Sequence, residues 1–131
     1  ALAGLRRLGL ERCVTEVFEP SRMLPAVGQG AIAIETCGDR PDLQDILTLM
    51  NDRCTELCVA AERAVGGRLD ADCSRPFAAH AHLNAGVMHL EAAHQGSSDD
   101  RPIFAEACAP VSRLDEALSL GDEVAGRLLR I

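Results

Sequence analysis

The chain has 131 residues, with 13 arginines and no lysine against 20 aspartates and glutamates, and a formal net charge of −7 at pH 7. That balance argues against nucleic acid or an anionic membrane surface as the main partner. Hydrophobic residues make up 47% of the sequence and no apolar run approaches a membrane span, which excludes a disordered chain and leaves room for a real core.

Residues 2–10 suit a helix, with Leu2, Leu5 and Leu8 at three-residue spacing and Gly9 near its end. Val14–Phe18 alternates and is β-branched, which predicts a short strand stopped by Pro20. Ser21–Gln29 reads as a loop, and Ala31–Glu35 as a buried strand. A helix opens at Pro41 and runs to about Met50, with Leu43, Ile46, Leu47 and Met50 on one face. A second helix is predicted from about Asp52 to Val65, carrying Cys54, Leu57, Cys58, Ala61 and Val65 on one stripe and ended by Gly66-Gly67. Three strand candidates follow, Phe77–Leu83, Val87–Ala93 and Pro102–Ala109, joined by the turn-rich Asn84-Ala85-Gly86 and Gln95–Arg101. A closing helix spans roughly Ser112 to Arg130, with Gly121 a possible break.

Helix, three antiparallel strands and helix make an α+β unit, so 53–131 is expected to form a small domain. Residues 1–52 read as α/β segments of incomplete domains. The sequence opens inside a helix without an initiator Met and closes without a helix stop, so a piece of a longer protein is expected.

The six cysteines, Cys13, Cys37, Cys54, Cys58, Cys73 and Cys108, form neither a CxxC pair nor a secreted disulfide framework, which points to free thiols in a reducing cytoplasm. Cys54 and Cys58 lie one helical turn apart, and His80 and His82 share a strand face downstream. A zinc site needs four converging ligands and nothing in this spacing fixes them. Core cysteines and surface histidines are the expectation, with no metal.

Three segments offer chemistry. Gly28 and Gly30 flank Gln29 just before a strand; such glycines permit positive φ and bring backbone N–H groups close to a ligand, although any tight loop uses them too. Arg6 and Arg7 are about 100° apart on a helix, so at most one faces a given cleft, as a solvated cation or as a carboxylate clamp. Cys73 sits between a helix and a β-type run, in Leu69-Asp70-Ala71-Asp72-Cys73-Ser74-Arg75-Pro76. A thiol there is either an incidental free cysteine or a positioned covalent anchor.

Taken together, the Leu-Pro-Ala-Val-Gly-Gln-Gly-Ala run at 24–31, the Ala-Gly-Leu-x-Arg-Leu-Gly run at 3–9 and the Glu62-Arg63 to Cys73 and Pro76 spacing resemble the porphobilinogen deaminase (hydroxymethylbilane synthase) family. The resemblance extends over essentially the whole chain. It implies a cytoplasmic transferase of heme and tetrapyrrole biosynthesis that condenses four porphobilinogen units, with loss of ammonia, onto a thioether-linked dipyrromethane primer, one per chain. It makes Cys73 the thioether anchor and Arg7 a partner of the cofactor carboxylates, with Gly28, Gln29 and Gly30 in the interdomain loop beside the cofactor.

On the family template, residues 1–24 end domain two, about 30–50 are the return strand and helix of domain one, and 53–131 are domain three. The family's catalytic aspartate belongs to an N-terminal part not among these residues, so no catalytic residue is assigned here and the piece alone is expected to be inactive. A missing N-terminal domain is the implied partner, the full-length protein is expected to be a monomer, and the first fifty residues are expected to expose apolar faces. Ala71, Asp72 and Arg75 depart from the family pattern around Cys73, and Asp72 disfavours a thiolate beside it. A non-catalytic tetrapyrrole-binding or interaction module therefore stays open as an alternative, as does a small metal-binding domain using Cys54, Cys58 and the histidines.

Overall fold

A computed structural model describes residues 2–38, 40–69, 76–95 and 101–130. Its elements are α1 (Leu2–Arg7), a 3-10 turn (Glu11–Cys13), α2 (Pro41–Met50), α3 (Arg53–Arg68), β1 (Phe77–Asn84), β2 (Val87–Gln95), β3 (Pro102–Pro110) and α4 (Leu114–Leu128). The three strands form one antiparallel sheet in the order β1-β2-β3. It is an α+β arrangement, as the sequence pattern implies.

Alternation decides which face of the sheet is covered. Ala79 and Ala81 of β1, Met88, Leu90 and Ala92 of β2, and Ala107 of β3 are buried together with Leu57, Ala61 and Val65 of α3 and Ala117, Leu120, Val124 and Leu128 of α4. The strands contribute mostly alanine to this core, and small side chains let both helices lie close on the sheet. α3 and α4 also pack on each other, tightly at Gly121, where an added Cβ would lie 2.5 Å from the Ala61 carbonyl oxygen. Gly121 therefore leaves α4 continuous, because its missing side chain is what the helix contact requires.

Gly66 and Gly67 likewise do not end α3, which continues to Arg68. A Cβ on Gly66 would stand 3.1 Å from the Phe77 ring, so the glycine allows the last turn to pack over the start of β1. Between β1 and β2 the turn residues Ala85 and Gly86 have φ of +48° and +80°, the paired left-handed conformation of a two-residue hairpin.

The N-termini of the two long helices are closed by carboxylates. Asp52 accepts from the Thr55 backbone N–H at 2.7 Å, and that bond holds its carboxyl below the usual range. Glu116 accepts from the backbone N–H groups of Ser112 (2.8 Å) and Arg113 (3.1 Å), which lower its carboxyl in the same way. Both folded pKa values lie below the unfolded ones. Their stabilisation is thus present above the unfolded value, near 4, and is lost as pH falls through the folded value. Thermal midpoints followed downward from neutral pH should fall less steeply for Asp52→Asn/Glu116→Gln than for the native chain. Parallel curves would remove these caps from the acid response.

The first fifty residues depart most from the pattern. α1 stops at Arg7, closed by Leu10 N–H to the Leu5 carbonyl (2.9 Å) and Gly9 N–H to the Arg6 carbonyl (3.0 Å), rather than running to residue 10. The expected strands at Val14–Phe18 and Ala31–Glu35 form no ladder among the described residues. Their alternation favours extended backbone, but a strand also needs a hydrogen-bonding neighbour. α2 forms as the pattern implies, yet none of its residues is buried and it packs on no other described element. Ile32 is 92% exposed and Leu49 88%. Such faces on an otherwise well-patterned segment call for a covering surface.

Candidate functional site

The Gly-Gln-Gly segment is tied to the sheet through one buried carboxylate. Gly28 and Gly30 have φ of +69° and +89°, left-handed values that favour glycine, and an added Cβ at either would meet nothing within 4 Å. It is the turn, not crowding, that requires glycine here. The turn closes on itself through Gln29 N–H to the Ala26 carbonyl (2.9 Å) and Ala31 N–H to the Gly28 carbonyl (3.1 Å). Gly28 N–H donates to Glu62 Oε2 at 2.7 Å, while Glu62 Oε1 accepts from Ala81 N–H at 2.8 Å. His80 Nδ1 lies 3.9 Å from the same oxygen. Glu62 is only 5% exposed, so this carboxylate joins loop, α3 and β1 away from water.

Those bonds restrict what the loop offers a ligand. The N–H groups of Gly28, Gln29 and Ala31 already have partners, which leaves the Gly30 N–H and the Gln29 side-chain amide as the donors this turn can offer. Arg7 lies in the last turn of α1, exposed beside Arg6, and α1 packs only on the 3-10 turn among the described elements. The described contacts do not bring Arg7 to Gly28–Gly30. Cys73 lies outside the described residues. Nearby, Gln95 N–H donates to the Pro76 carbonyl at 3.1 Å, which fixes the chain three residues after Cys73 to the end of β2.

A cleft of about 820 Å³ runs between segment 30–34, the end of α2 and the first half of α3. Its charged groups are Asp52, Glu56 and Arg63, a net negative lining that does not suit a polyanion.

The candidate cysteines and histidines separate. Cys54 is exposed rather than part of the core, and Cys58 is half-buried. Burial, then the charge of Glu62, push the Cys58 thiol up, which keeps it protonated and unreactive. His80 and His82 point to the sheet face opposite the helices, so they do not join Cys54 and Cys58 in one site. Among the described cysteines none forms a disulfide. No described helix is long and apolar enough to cross a membrane.

Two groups escaped the sequence reading. Glu62 lies four residues after Cys58 and three before Val65, on the apolar stripe of α3, where a carboxylate requires buried partners. His94 is 8% exposed, and its Nδ1 has no hydrogen-bond partner among the described residues. Only strand alternation, extended past Ala93 to the true end of β2, reveals that it points inward.

Residues 1–45 match the family model described as porphobilinogen deaminase, dipyromethane cofactor binding domain, and residues 56–130 match porphobilinogen deaminase, C-terminal domain. The chain is 41% identical over 129 residues to the porphobilinogen deaminase of Coxiella burnetii (strain Dugway 5J108-111), covering 98% of this chain and 41% of that protein. It is 43% identical over 130 residues to that of Albidiferax ferrireducens, with the same coverage. For Paraburkholderia phymatum the identity is 40% over 128 residues, with 98% and 39% covered. The chain thus spans about two fifths of the length of these relatives. With a C-terminal-domain match that alone covers more than half of it, the chain belongs to the porphobilinogen deaminase family.

Proposed function

We propose that these residues are the anchor-bearing part of a hydroxymethylbilane synthase, with Cys73 holding the cofactor through a thioether. When bound, the dipyrromethane supplies the primer onto which four porphobilinogen units are condensed with loss of ammonia. The observation that carries this reading is the ordered match to both family models, with Glu62 hydrogen-bonding the Gly28 turn of the first to the β1 backbone of the second.

This chain's own residues have limited roles in that chemistry. Cys73 would hold the cofactor: its S–H proton would leave to solvent, and the sulfur would bond the pyrrole methylene carbon as that carbon's C–N bond breaks and ammonia departs. Arg7, with a planar fork of donors, pairs with an acetate or propionate group once α1 is docked. Gln29 contributes an amide at the turn that Glu62 positions. Division at about residue 52 fits the role: 53–131 forms the cofactor-bearing domain, and 1–52 lends its exposed apolar faces to the rest of the protein. The acid–base centre lies outside these residues, so the 131-residue chain alone does not turn over porphobilinogen.

Asp72 favours a second reading, a non-catalytic tetrapyrrole-binding module, because its charge disfavours the thiolate that loading requires. Intact mass of the full-length gene product, expressed with porphobilinogen, separates the two. Under the leading reading the protein carries two pyrrole units, the addition disappears in Cys73→Ser, and the loaded protein releases hydroxymethylbilane. A full-length protein that is unmodified and turns over nothing would sink it, and a loaded but inactive one would favour the module.

A further inference from the structure

The carboxylate that holds the Gly-Gln-Gly turn has a titratable neighbour. Glu62 divides its oxygens: Oε2 accepts from the Gly28 N–H at 2.7 Å, and Oε1 from the Ala81 N–H at 2.8 Å. His80 Nδ1 stands 3.9 Å from Oε1, the oxygen that the turn does not use. That is beyond hydrogen-bond reach, and a small side-chain rotation closes the gap. The His80 side chain is 32% exposed against 7% for Glu62, so a proton from solvent reaches the imidazole while the carboxylate stays covered.

We propose that His80 is a positioning residue for this turn: as imidazolium it stabilises the Glu62 carboxylate and so tightens the docking of Gly28–Gly30 on α3 and β1. The docked turn helps to cover Glu62, and burying a carboxylate beside a cation costs less than burying it alone. The imidazolium and the turn do not compete, because each addresses a different oxygen. Imidazole gains its charge between about pH 8 and pH 5. Docking is therefore favoured as pH falls through that range and loses support as pH rises.

The other charged groups around the pair do not reverse this sign. On α3, burial and the charge of Glu62 keep the Cys58 thiol protonated and neutral. Arg63 lines the cleft beside 30–34, and among the described residues the ion-pair partner of Glu62 is His80. On β1, the His82 ring lies 6.3 Å from that of His80, and its protonation opposes a second charge. On β2, Glu91 is directly opposite His80, with Glu106 of β3 next in the row, and both carboxylates favour the imidazolium. The turn itself, residues 26–31, carries no charged side chain. Gln29 moves with the turn, so its amide is held more firmly in mild acid; only that consequence rests on the proposed cofactor-facing role of the turn.

The test is hydrogen exchange at the Gly28 amide, followed by NMR from about pH 8 to about pH 5.5 and corrected for intrinsic exchange. In the native chain its protection should rise about fivefold on acidification, the effect of one solvent-screened charge pair about 4 Å apart. Leu90, in the middle strand, should show no matching rise. His80→Asn should hold Gly28 at the native high-pH value throughout. His80→Arg, a permanent cation, should hold it at the native low-pH value, and His82→Asn should keep the rise. If a variant melts early, the native comparison of Gly28 with Leu90 decides alone. A flat native profile, an equal rise at Leu90, or a rise that survives His80→Asn overturns the proposal. No arm needs cofactor or turnover, so failure here leaves the proposed function standing, and an unloaded full-length protein leaves this coupling standing.

Discussion

Glu62→Ala should lower the unfolding free energy by about 2–4 kcal/mol, the largest loss expected from any single side chain outside the apolar core. The carboxylate accepts from Ala81 N–H at 2.8 Å and Gly28 N–H at 2.7 Å, and it is only 5% exposed. Alanine leaves the Ala81 donor unpaired beside α3, where water cannot replace the oxygen. An unsatisfied buried donor costs about 1–3 kcal/mol, and bonds to a charged acceptor exceed neutral ones. Gly28 has an easier escape, because the turn can swing out to solvent. Glu62→Gln should lose roughly half as much, since the two donors bond different oxygens: the amide oxygen keeps one bond while the NH2 group opposes the other donor. Urea unfolding followed by far-ultraviolet circular dichroism is the suitable readout, as the chain has neither tryptophan nor tyrosine. Limited proteolysis should also cut near residue 28 sooner in both variants. A loss below about 1 kcal/mol for Glu62→Ala would mean that the junction is not a stability element.

Gly121→Ala should destabilise by about 2 kcal/mol, although alanine is the better helix former by about 1 kcal/mol. The added methyl would lie 2.5 Å from the Ala61 carbonyl oxygen and 2.6 Å from the Ala64 Cβ. Neither is the far end of a flexible side chain, so α3 and α4 have to separate, loosening Leu120 and Val124 from the core. Gly126 in the same helix is the internal control. An added Cβ there finds only Arg130 Nη2 at 3.7 Å, ordinary contact with a mobile group. Gly126→Ala should be stabilising by about 0.5–1 kcal/mol. Opposite signs at the two glycines would show that α4 is positioned by contact with α3. A stabilising Gly121→Ala would contradict the close approach.

These two residues also show what the sequence reveals and what it hides. The elements between 53 and 130 are legible because each combines a clear period with local stop signals, and each buries its own apolar face within that span. Gly121 and Gly66 mislead for one reason: a glycine in a helical pattern reads as a break until the group packed against it, the Ala61 carbonyl or the Phe77 ring, is known. The strands expected at Val14–Phe18 and Ala31–Glu35 fail for another, since alternation specifies extended backbone while pairing depends on chain elsewhere. At the site, the Gly-Gln-Gly turn is visible from its glycines. Glu62 is visible only as a charge on an apolar stripe, its two partners lying 34 and 19 residues away.

The Glu62 bond to Ala81 has a counterpart across the sheet, where the Arg127 guanidinium of α4 donates to the Glu106 carbonyl of β3. β1 and β3 are the outermost strands, so each helix places a charged side chain on a free backbone group of the strand beside it. β3 also begins and ends in proline. Bare strand rims are templates for strand addition and aggregation, and a charged side chain or proline at the rim blocks that growth. The extended runs at 14–18 and 31–35 lie within the same chain and would otherwise be candidates to lengthen the sheet. Guarded rims keep those runs from adding to β1 or β3, so the sheet stops at three strands although the same chain carries further extended segments.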